Sequence, residues 1–554
     1  MSASKEKAKF AAIRLKRFLN IFLRNTKGIA GLAILIIFLV MAAGAPFLTP
    51  YDPILSEGLA GGTAAPTWLR YFPPALGGQP DLSENMWVVN DPGFKNPPAI
   101  NSSMIGEWGY TKSPNITIQF DPNEGASTPG CLDIAFERNE VGKLYGDHSI
   151  YIYKDYDFPY SGMPKKFQGR IAFFVNGTGY LRTQRLWNET GSNWYYANIT
   201  LFYVPVRINV IFEQVDTGQK WTIWPVPQIF YVPGFMDNPE TVSIEVDGTV
   251  YRYIGYWWIV SSDLDSFNAP ICQGLFRGVN PAQAMFTKKP GKYRYGVEIT
   301  FQDEKDKNKP VYSTIYIDDI DFKILGTSWG LMGTDTYGRD LFTQLLYGTS
   351  ISLYVGVLSA VLAIVIGLIV GLVAGYLGGI VDEVLMRFND MLLVLPGLPL
   401  LIVLVAVLGT KIENLIILLG LLGWNGFARV VRSQVLSIKE RPFIEAAKAV
   451  GAGKGYIIIR HIVPNVMSLT YVSLATTVPG NVMAEAALSF LGFYDPYRMS
   501  WGRMLYDVQF RAGAIQNWWW VVPPGLCIAL LAISFVLLGY ALDEVLNPKL
   551  RMRR

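Results

Sequence analysis

The sequence predicts an α-helical polytopic membrane protein of six spans that carries, between its first two spans, a mainly β domain of β-sandwich type. Three observations predict it. Only 17% of the 554 residues are charged while 51% are hydrophobic, well below the roughly 25% charged content of soluble domains. The charge is also divided by region. Residues 51–323 hold 23 Lys and Arg against 30 Asp and Glu, a net of −7, leaving 25 against 14, a net of +11, for the rest of the chain. Outside that acidic block, runs of about 20 apolar residues recur, the length a helix needs to cross a bilayer core about 30 Å thick. Three cysteines and two histidines, His148 and His461, are too few for a Cys/His metal cluster, so neither redox nor zinc chemistry is expected.

Residues 1–27 read as a cytoplasmic basic N-terminus, with Lys5, Lys7, Lys9, Arg14, Lys16, Arg17, Arg24 and Lys27 against one acid, Glu6. The uncharged run 28–48 is the first span. Ala43-Gly44-Ala45 imitates a signal-peptide cleavage site, but the apolar run exceeds the usual h-region, so an uncleaved helix is expected. Residues 49–325 form the insertion and 326–350 a lead-in to the second span. Spans two to six are expected at about 351–377, 391–409, 412–431, 465–485 and 518–540, within a membrane region 351–540. The loop 432–462 and the tail 541–554 are cytoplasmic on this reading. Arg429, Arg432, Lys439, Arg441, Lys448, Lys454 and Arg460 lie between spans four and five, and Lys549, Arg551, Arg553 and Arg554 lie in the tail. This bias places both termini in the cytoplasm of a plasma-membrane protein and residues 49–325 outside. Trp518, Trp519 and Trp520 belong to an aromatic belt at the outer edge of span six.

Gly367, Gly371, Gly375 and Gly379 recur at a four-residue step, which on a helix lines them on one face for close packing. The partner is either a helix of the same subunit or one of another subunit.

In the insertion, the runs 194–212, 241–260, 293–301 and 311–325 are rich in Tyr, Val, Ile, Thr and Trp with partial two-residue alternation, and Asp-Gly or Asn-Gly turns separate such runs, as strands require. Sequons at Asn101, Asn115, Asn176, Asn188 and Asn198, with none in the membrane portion, suit an external glycosylated domain. Cys131 and Cys272 are either a disulfide, favoured outside the cytoplasm, or two buried thiols. The segment 312–322, with its Asp318-Asp319 pair, loosely resembles the closing strand of jelly-roll carbohydrate-binding modules, although such a pair also suits a solvated turn.

The loop after span four reads Glu445-Ala446-Ala447-Lys448-Ala449-Val450-Gly451, continuing to Arg460-His461-Ile462-Val463-Pro464-Asn465. Small Ala446 and Ala447 permit close docking, Gly451 ends a helix and Pro464 starts the next element. This loop resembles that of the permease subunits of ABC importers, and the resemblance implies a short helix that docks on an ATPase subunit. His461 and Val463 depart from the family pattern, which has aliphatic residues and Leu there. Before span two stands Gly333-Thr334-Asp335-Thr336-Tyr337-Gly338-Arg339-Asp340, which resembles the signature of the C-type permease in the dipeptide, oligopeptide and nickel importer branch. Read locally, the same segment is a capped turn with Thr334 or Asp335 as helix N-cap. Ala484-Glu485-Ala486-Ala487-Leu488-Ser489-Phe490-Leu491-Gly492 and Ser500-Trp501-Gly502-Arg503-Met504 match further stretches of that branch. The insertion has no counterpart in it. Gly451-Ala452-Gly453-Lys454-Gly455 fails as a phosphate loop, since Gly455 stands where Ser or Thr should hold Mg.

The resemblance implies a type I importer-like fold and a non-enzymatic transport subunit. It further implies a second, B-type permease, two ATPases carrying ATP and Mg, and an extracytoplasmic substrate-binding protein in a lipid bilayer. No cofactor, metal or nucleic acid is expected on this chain. Peptides are the implied cargo, with oligosaccharides as the alternative. A membrane-anchored surface enzyme or glycan-binding protein is the rival from another class, but it leaves five spans unexplained. Thr476, Thr477 and Asn481 are expected to line the pathway; of the few charged residues in the spans, Arg387, Asp390 and Glu485, Glu485 is the first functional candidate, with a cap or interface acid at the outer end of span five as its alternative, and the insertion is expected to dock the binding protein or cap the pore.

Overall fold

The computed structural model describes residues 22, 25–74, 78–91, 100–123, 130–138, 146–177, 180–190, 193–203, 206–226, 230–231, 241–246, 249–254, 256–261, 281–303 and 311–546. The basic leader, the end of the tail and Cys272 lie outside these residues. The chain divides into two compact units, residues 1–59 with 330–554, and residues 60–329.

Helix α1 (Thr26–Leu48) opens the first unit. Asn25 caps it, accepting from Lys27 N at 3.0 Å and Gly28 N at 3.2 Å. The same amide donates to Glu544 Oε2 at 2.8 Å, close to the end of the final helix.

The second unit is a sandwich of two six-stranded sheets. One contains β1 (Met86–Asp91), β4 (Ile116–Asp121), β5 (Cys131–Arg138), β7 (Lys166–Gly177), β15 (Tyr256–Ser261) and β17 (Val311–Leu325), in the order β15-β7-β17-β5-β4 with β1 also on β17. The other runs β11-β10-β16-β6-β3-β2, from β2 (Met104–Ile105), β3 (Trp108–Lys112), β6 (Gly146–Phe158), β10 (Val206–Gln214), β11 (Gln219–Val226) and β16 (Gly291–Asp303). Alternation decides which side chains face inward. Tyr293, Tyr295, Val297, Ile299 and Phe301 of β16 are all buried, and they meet Phe167, Ile171, Ile315, Ile317 and Phe322 of the facing sheet in one core. Tyr295 and Phe322 stack across the sheets with ring centroids 4.0 Å apart. Arg138 and Asp303 form a fully buried ion pair at 2.9 Å between the same two sheets. Asp318 is buried within β17 at a register shift against β7 rather than in a solvated turn, because the ladder continues through it to Leu325. Beside the two sheets are a sheet of β8 (Tyr180–Thr190), β9 (Asn193–Tyr203) and β12 (Phe230–Tyr231), a hairpin of β13 (Thr241–Val246) and β14 (Thr249–Ile254), and the short helix α2 (Pro281–Met285), whose Ala282 and Met285 are buried in the sandwich core.

The rest of the first unit is helical: α3 (Leu341–Leu377), α4 (Gly379–Val394), α5 (Gly397–Leu408), α6 (Ile412–Gly423), α7 (Asn425–Lys439), α8 (Pro442–Ala449), α9 (Lys454–Ile457), α10 (Val463–Phe490), α11 (Trp501–Asp507) and α12 (Trp518–Leu546). Among the described residues, five helical runs are long and apolar enough to cross a membrane: α1, α3, Ile412–Lys439, Lys454–Phe490 and α12. The pair α4 and α5 makes a sixth if counted as one span, bent by 90°. The third span, expected at about 391–409, is therefore not one continuous helix but is broken near its start. Pro396 has no N–H to continue α4 and crowds the preceding turn, so the helix stops at Val394 and restarts at Gly397. Span two begins earlier than expected, since Leu341 to Ser350 are already helical.

The glycine stripe packs within the subunit. A Cβ on Gly367, Gly371 or Gly375 would meet α7 or the residue before it: Trp424 O at 2.9 Å, Val431 Cβ at 2.6 Å and Val435 Cβ at 2.8 Å respectively. Gly379 is not part of the stripe. α3 ends at Leu377, and Gly378 and Gly379 take positive φ of 68° and 55° to turn the chain into α4.

Candidate functional site

The segment between the two long runs that end at Lys439 and start at Lys454 carries the Glu-Ala-Ala residues. Pro442 suits the first position of α8, where no N–H is needed. The helix closes with Val450 N on Ala446 O at 3.2 Å, Gly451 N on Lys448 O at 2.9 Å and Ala452 N on Ala447 O at 3.1 Å. This is the Schellman pattern, and it needs a left-handed residue, which Gly451 supplies at φ 82°. Of the eight residues in α8, Ile444 alone is buried, packing with Val435, Ile438, Ile457 and Ile462. Glu445, Ala446 and Lys448 are consequently exposed and Ala447 is half-buried. His461 sits between the rings of Phe443 at 6.4 Å and Tyr456 at 5.8 Å.

Pro464 does not begin a separate element. It is the second residue of α10, but the helical path starts ten residues earlier and passes through a π turn at Ile458–Ile462. The wider turn accommodates a residue that cannot donate to the carbonyl four places back.

The other three motifs converge in one buried cluster. Asp335 accepts from Tyr337 N at 2.9 Å, Arg339 N at 3.0 Å, Arg339 Nε at 2.5 Å and Gln344 Nε2 at 2.7 Å. The N-cap of α3 is Asp340, which accepts from Thr343 N at 2.8 Å and Thr343 Oγ1 at 2.6 Å. Neither Thr334 nor Asp335 caps the helix, because Asp335 is committed to the turn that Gly333 and Gly338 close with φ of 77° and 75°. The indole of Trp501 donates to Leu345 O at 3.2 Å. Gly502 lies so close to α10 that a Cβ would stand 2.7 Å from Ala486 Cα. Glu485 is buried and accepts from Ser489 Oγ at 2.8 Å and Ser352 Oγ at 3.4 Å, with which it joins α10 to α3.

Arg511 completes the cluster, although no short motif marks it. Its guanidinium donates to Tyr337 Oη at 2.6 Å and Tyr494 Oη at 3.2 Å and pairs with Asp507 at 3.2 Å. Burial pushes the Asp507 carboxyl above its ordinary range, while Arg511, Arg503 and Arg339 pull the other way. These hydrogen bonds and ion pairs tie the segment before α3 to α3, α10 and α11.

Asn481 Nδ2 donates to Ser359 Oγ at 2.8 Å in the buried contact of α10 with α3, and the hydroxyls of Thr476 and Thr477 bond back to their own helix. Asn481 thus packs α10 against α3. Asn101 is exposed, with its Oδ1 accepting from Ser103 N and Met104 N, and Asn115 is half-buried. The side chains of Asn176, Asn188 and Asn198 lie outside what is described, as does the partner expected for Cys131, which is buried at the start of β5. Among the described residues no cluster of three or more His, Cys, Asp or Glu suits a metal.

Residues 330–552 match the family model of the binding-protein-dependent transport system inner membrane component, and residues 14–73 match the N-terminal TM domain of oligopeptide transport permease C. A dipeptide transport system permease of Bacillus subtilis is 41% identical over 223 residues, covering 40% of this chain and 68% of the relative. A glutathione transport system permease of Shigella flexneri is 41% identical over 220 residues, covering 40% and 72%. Among solved structures, a methionine ABC transporter in an inward-facing conformation matches 37% of this chain and 95% of its own, at 21% identity and a TM-score of 0.31. The matched relatives are transport permeases rather than enzymes. A multi-pass membrane protein with these motifs in this order, the chain belongs to the binding-protein-dependent transport inner membrane family, as a C-type permease of the ABC peptide importers.

Proposed function

We propose that this subunit forms half of the translocation pathway of an ATP-driven importer of short peptides and takes up the ATPase stroke through α8. The observation that carries the reading is α8 itself: an eight-residue helix between two long runs, anchored by Ile444 and otherwise turned outward, with its end fixed by Gly451. Such a helix suits insertion into a cleft on a partner. A B-type permease would complete the pathway, two ATPases carrying ATP and Mg would drive it, and an extracytoplasmic binding protein would deliver cargo. Peptide cargo is favoured because the relatives are named for dipeptides and glutathione. The bias of Lys and Arg supports cytoplasmic termini and an external sandwich unit, which on this reading receives the binding protein or covers the pathway mouth.

The test uses the assembled importer in proteoliposomes. Glu445→Ala and Gly451→Val should leave the subunit inserted and ATP hydrolysis running while dipeptide uptake falls. Normal uptake in both variants would remove α8 from the coupling route.

A further inference from the structure

The third apolar run is interrupted where α4 and α5 meet at 90°. α5 has 12 residues, about 18 Å at 1.5 Å per residue, against an apolar core of about 30 Å. At its far end Gly409, with φ 92°, turns the chain through Lys411 into α6, on which α5 packs through Leu401, Val405, Ile412 and Leu415. Measured from the membrane face where that turn lies, the bend at Leu395 and Pro396 is no deeper than about 18 Å. Arg429 lies on the continuous run Ile412–Lys439, about 25 Å along it from Ile412, and pairs with Asp390 of α4, five residues before the bend.

At that depth the backbone leaves its helix. The first main-chain bond of α5 is Leu400 N on Pro396 O at 3.1 Å, so the N–H groups of Gly397 and Leu398 have no helical partner, and neither do the last carbonyls of α4. Pro396 and Pro399 lighten the problem by having no N–H. Residues 393–399 are all exposed. Acyl chains offer no hydrogen bond, and open backbone at membrane depth survives only against protein or water. The Arg429 and Asp390 side chains are 51% and 50% exposed, a second set of groups that lipid would penalise.

We propose that residues 393–399, with the Asp390 and Arg429 pair, form a water-facing wall of the translocation pathway, where open amide and carbonyl groups contact the main chain of a passing peptide. This rests on the importer reading above. Main-chain groups recognise a peptide backbone whatever its side chains, so this wall fits a permissive carrier.

The test is thiol accessibility in the complete importer, in a Cys527→Ala background and referred to a parent without added cysteines. Leu395→Cys and Leu398→Cys are compared with Ile37→Cys on α1 and Leu526→Cys on α12, both exposed on apolar helix faces. A charged, membrane-impermeant thiosulfonate should modify the first pair on the order of tenfold or more faster, since the reactive thiolate is disfavoured in apolar surroundings. Saturating dialanine should slow that reaction. Rates at positions 395 and 398 as low as the controls, in an importer that takes up dialanine, would overturn the proposal by placing the bend against lipid or a partner. Fast labelling that dialanine leaves unchanged would overturn the peptide contact. Absence of dialanine uptake by the parent would count against the importer reading instead.

Discussion

The indole N–H of Trp501 donates to the Leu345 carbonyl at 3.2 Å, and one turn along α3 Gly348 leaves room for the same ring, with a Cβ there reaching 3.0 Å from Trp501 Cδ1. Trp501 is fully buried and also meets Phe38 of α1 edge-on, at 5.5 Å between centroids. One side chain thus ties α11 to α3 and α1.

Trp501→Ala should cost about 3–5 kcal/mol through the cavity it leaves, and Trp501→Phe less. Thermal unfolding of the purified chain in detergent checks the order of the two.

The Asp335 and Arg339 pair is almost fully buried. Asp335→Asn should destabilise by about 3–5 kcal/mol, because an unpaired guanidinium remains inside. Adding Arg339→Gln should return part of that loss, a coupling that a double-mutant cycle in the same assay measures.

Gly371→Val should destabilise by at least about 1–3 kcal/mol, since the new atoms fall on Val431 and the Ala428 carbonyl. Gly480→Ala, where nothing lies within 4 Å, should be neutral or slightly stabilising for a helix. Equal effects of the two would refute the packing role of the stripe.

In the sandwich unit, burial and then the Asp121 carboxylate push the Asp133 carboxyl above the usual range. The folded unit therefore holds this proton more tightly than the unfolded chain. Its contribution is present below the ordinary Asp value and is lost as pH rises through the raised one. Asp133→Asn should raise the melting temperature at neutral pH and leave it nearly unchanged in acid, read from melting curves of the full chain at a series of pH values.

The strand 311–325 was legible with the same ends in the sequence, because β-branched and aromatic residues recur along it from Val311 to Ile324 despite Asp318, Asp319 and Asp321. The six apolar runs were legible for a similar reason: hydrocarbon thickness sets their length. The break in the third run was not, because composition reports apolarity while Pro396 acts on hydrogen bonding. The start of α3 was misplaced because Thr343, Gln344, Thr349 and Ser350 look like loop. In the structure Thr343, Gln344 and Thr349 are buried and bonded, and Ser350 donates to Ala42 O at 3.0 Å. Arg511 and Tyr337 stand 174 residues apart, and no local pattern announces a contact at that separation. The end of α8 was readable, since Gly451 is the first residue after Glu445-Ala446-Ala447 that could take a left-handed conformation cheaply.

The three glycines on α3 have a mechanical corollary. With the carbonyls of Trp424, Ala428 and Arg432 only 2.7–3.0 Å from where Cβ atoms on these glycines would stand, the pair has little play, and strain applied at the Lys439 end of α7 passes across to α3 with small damping. Widening that seam by a single methyl group would convert a stiff joint into a loose one.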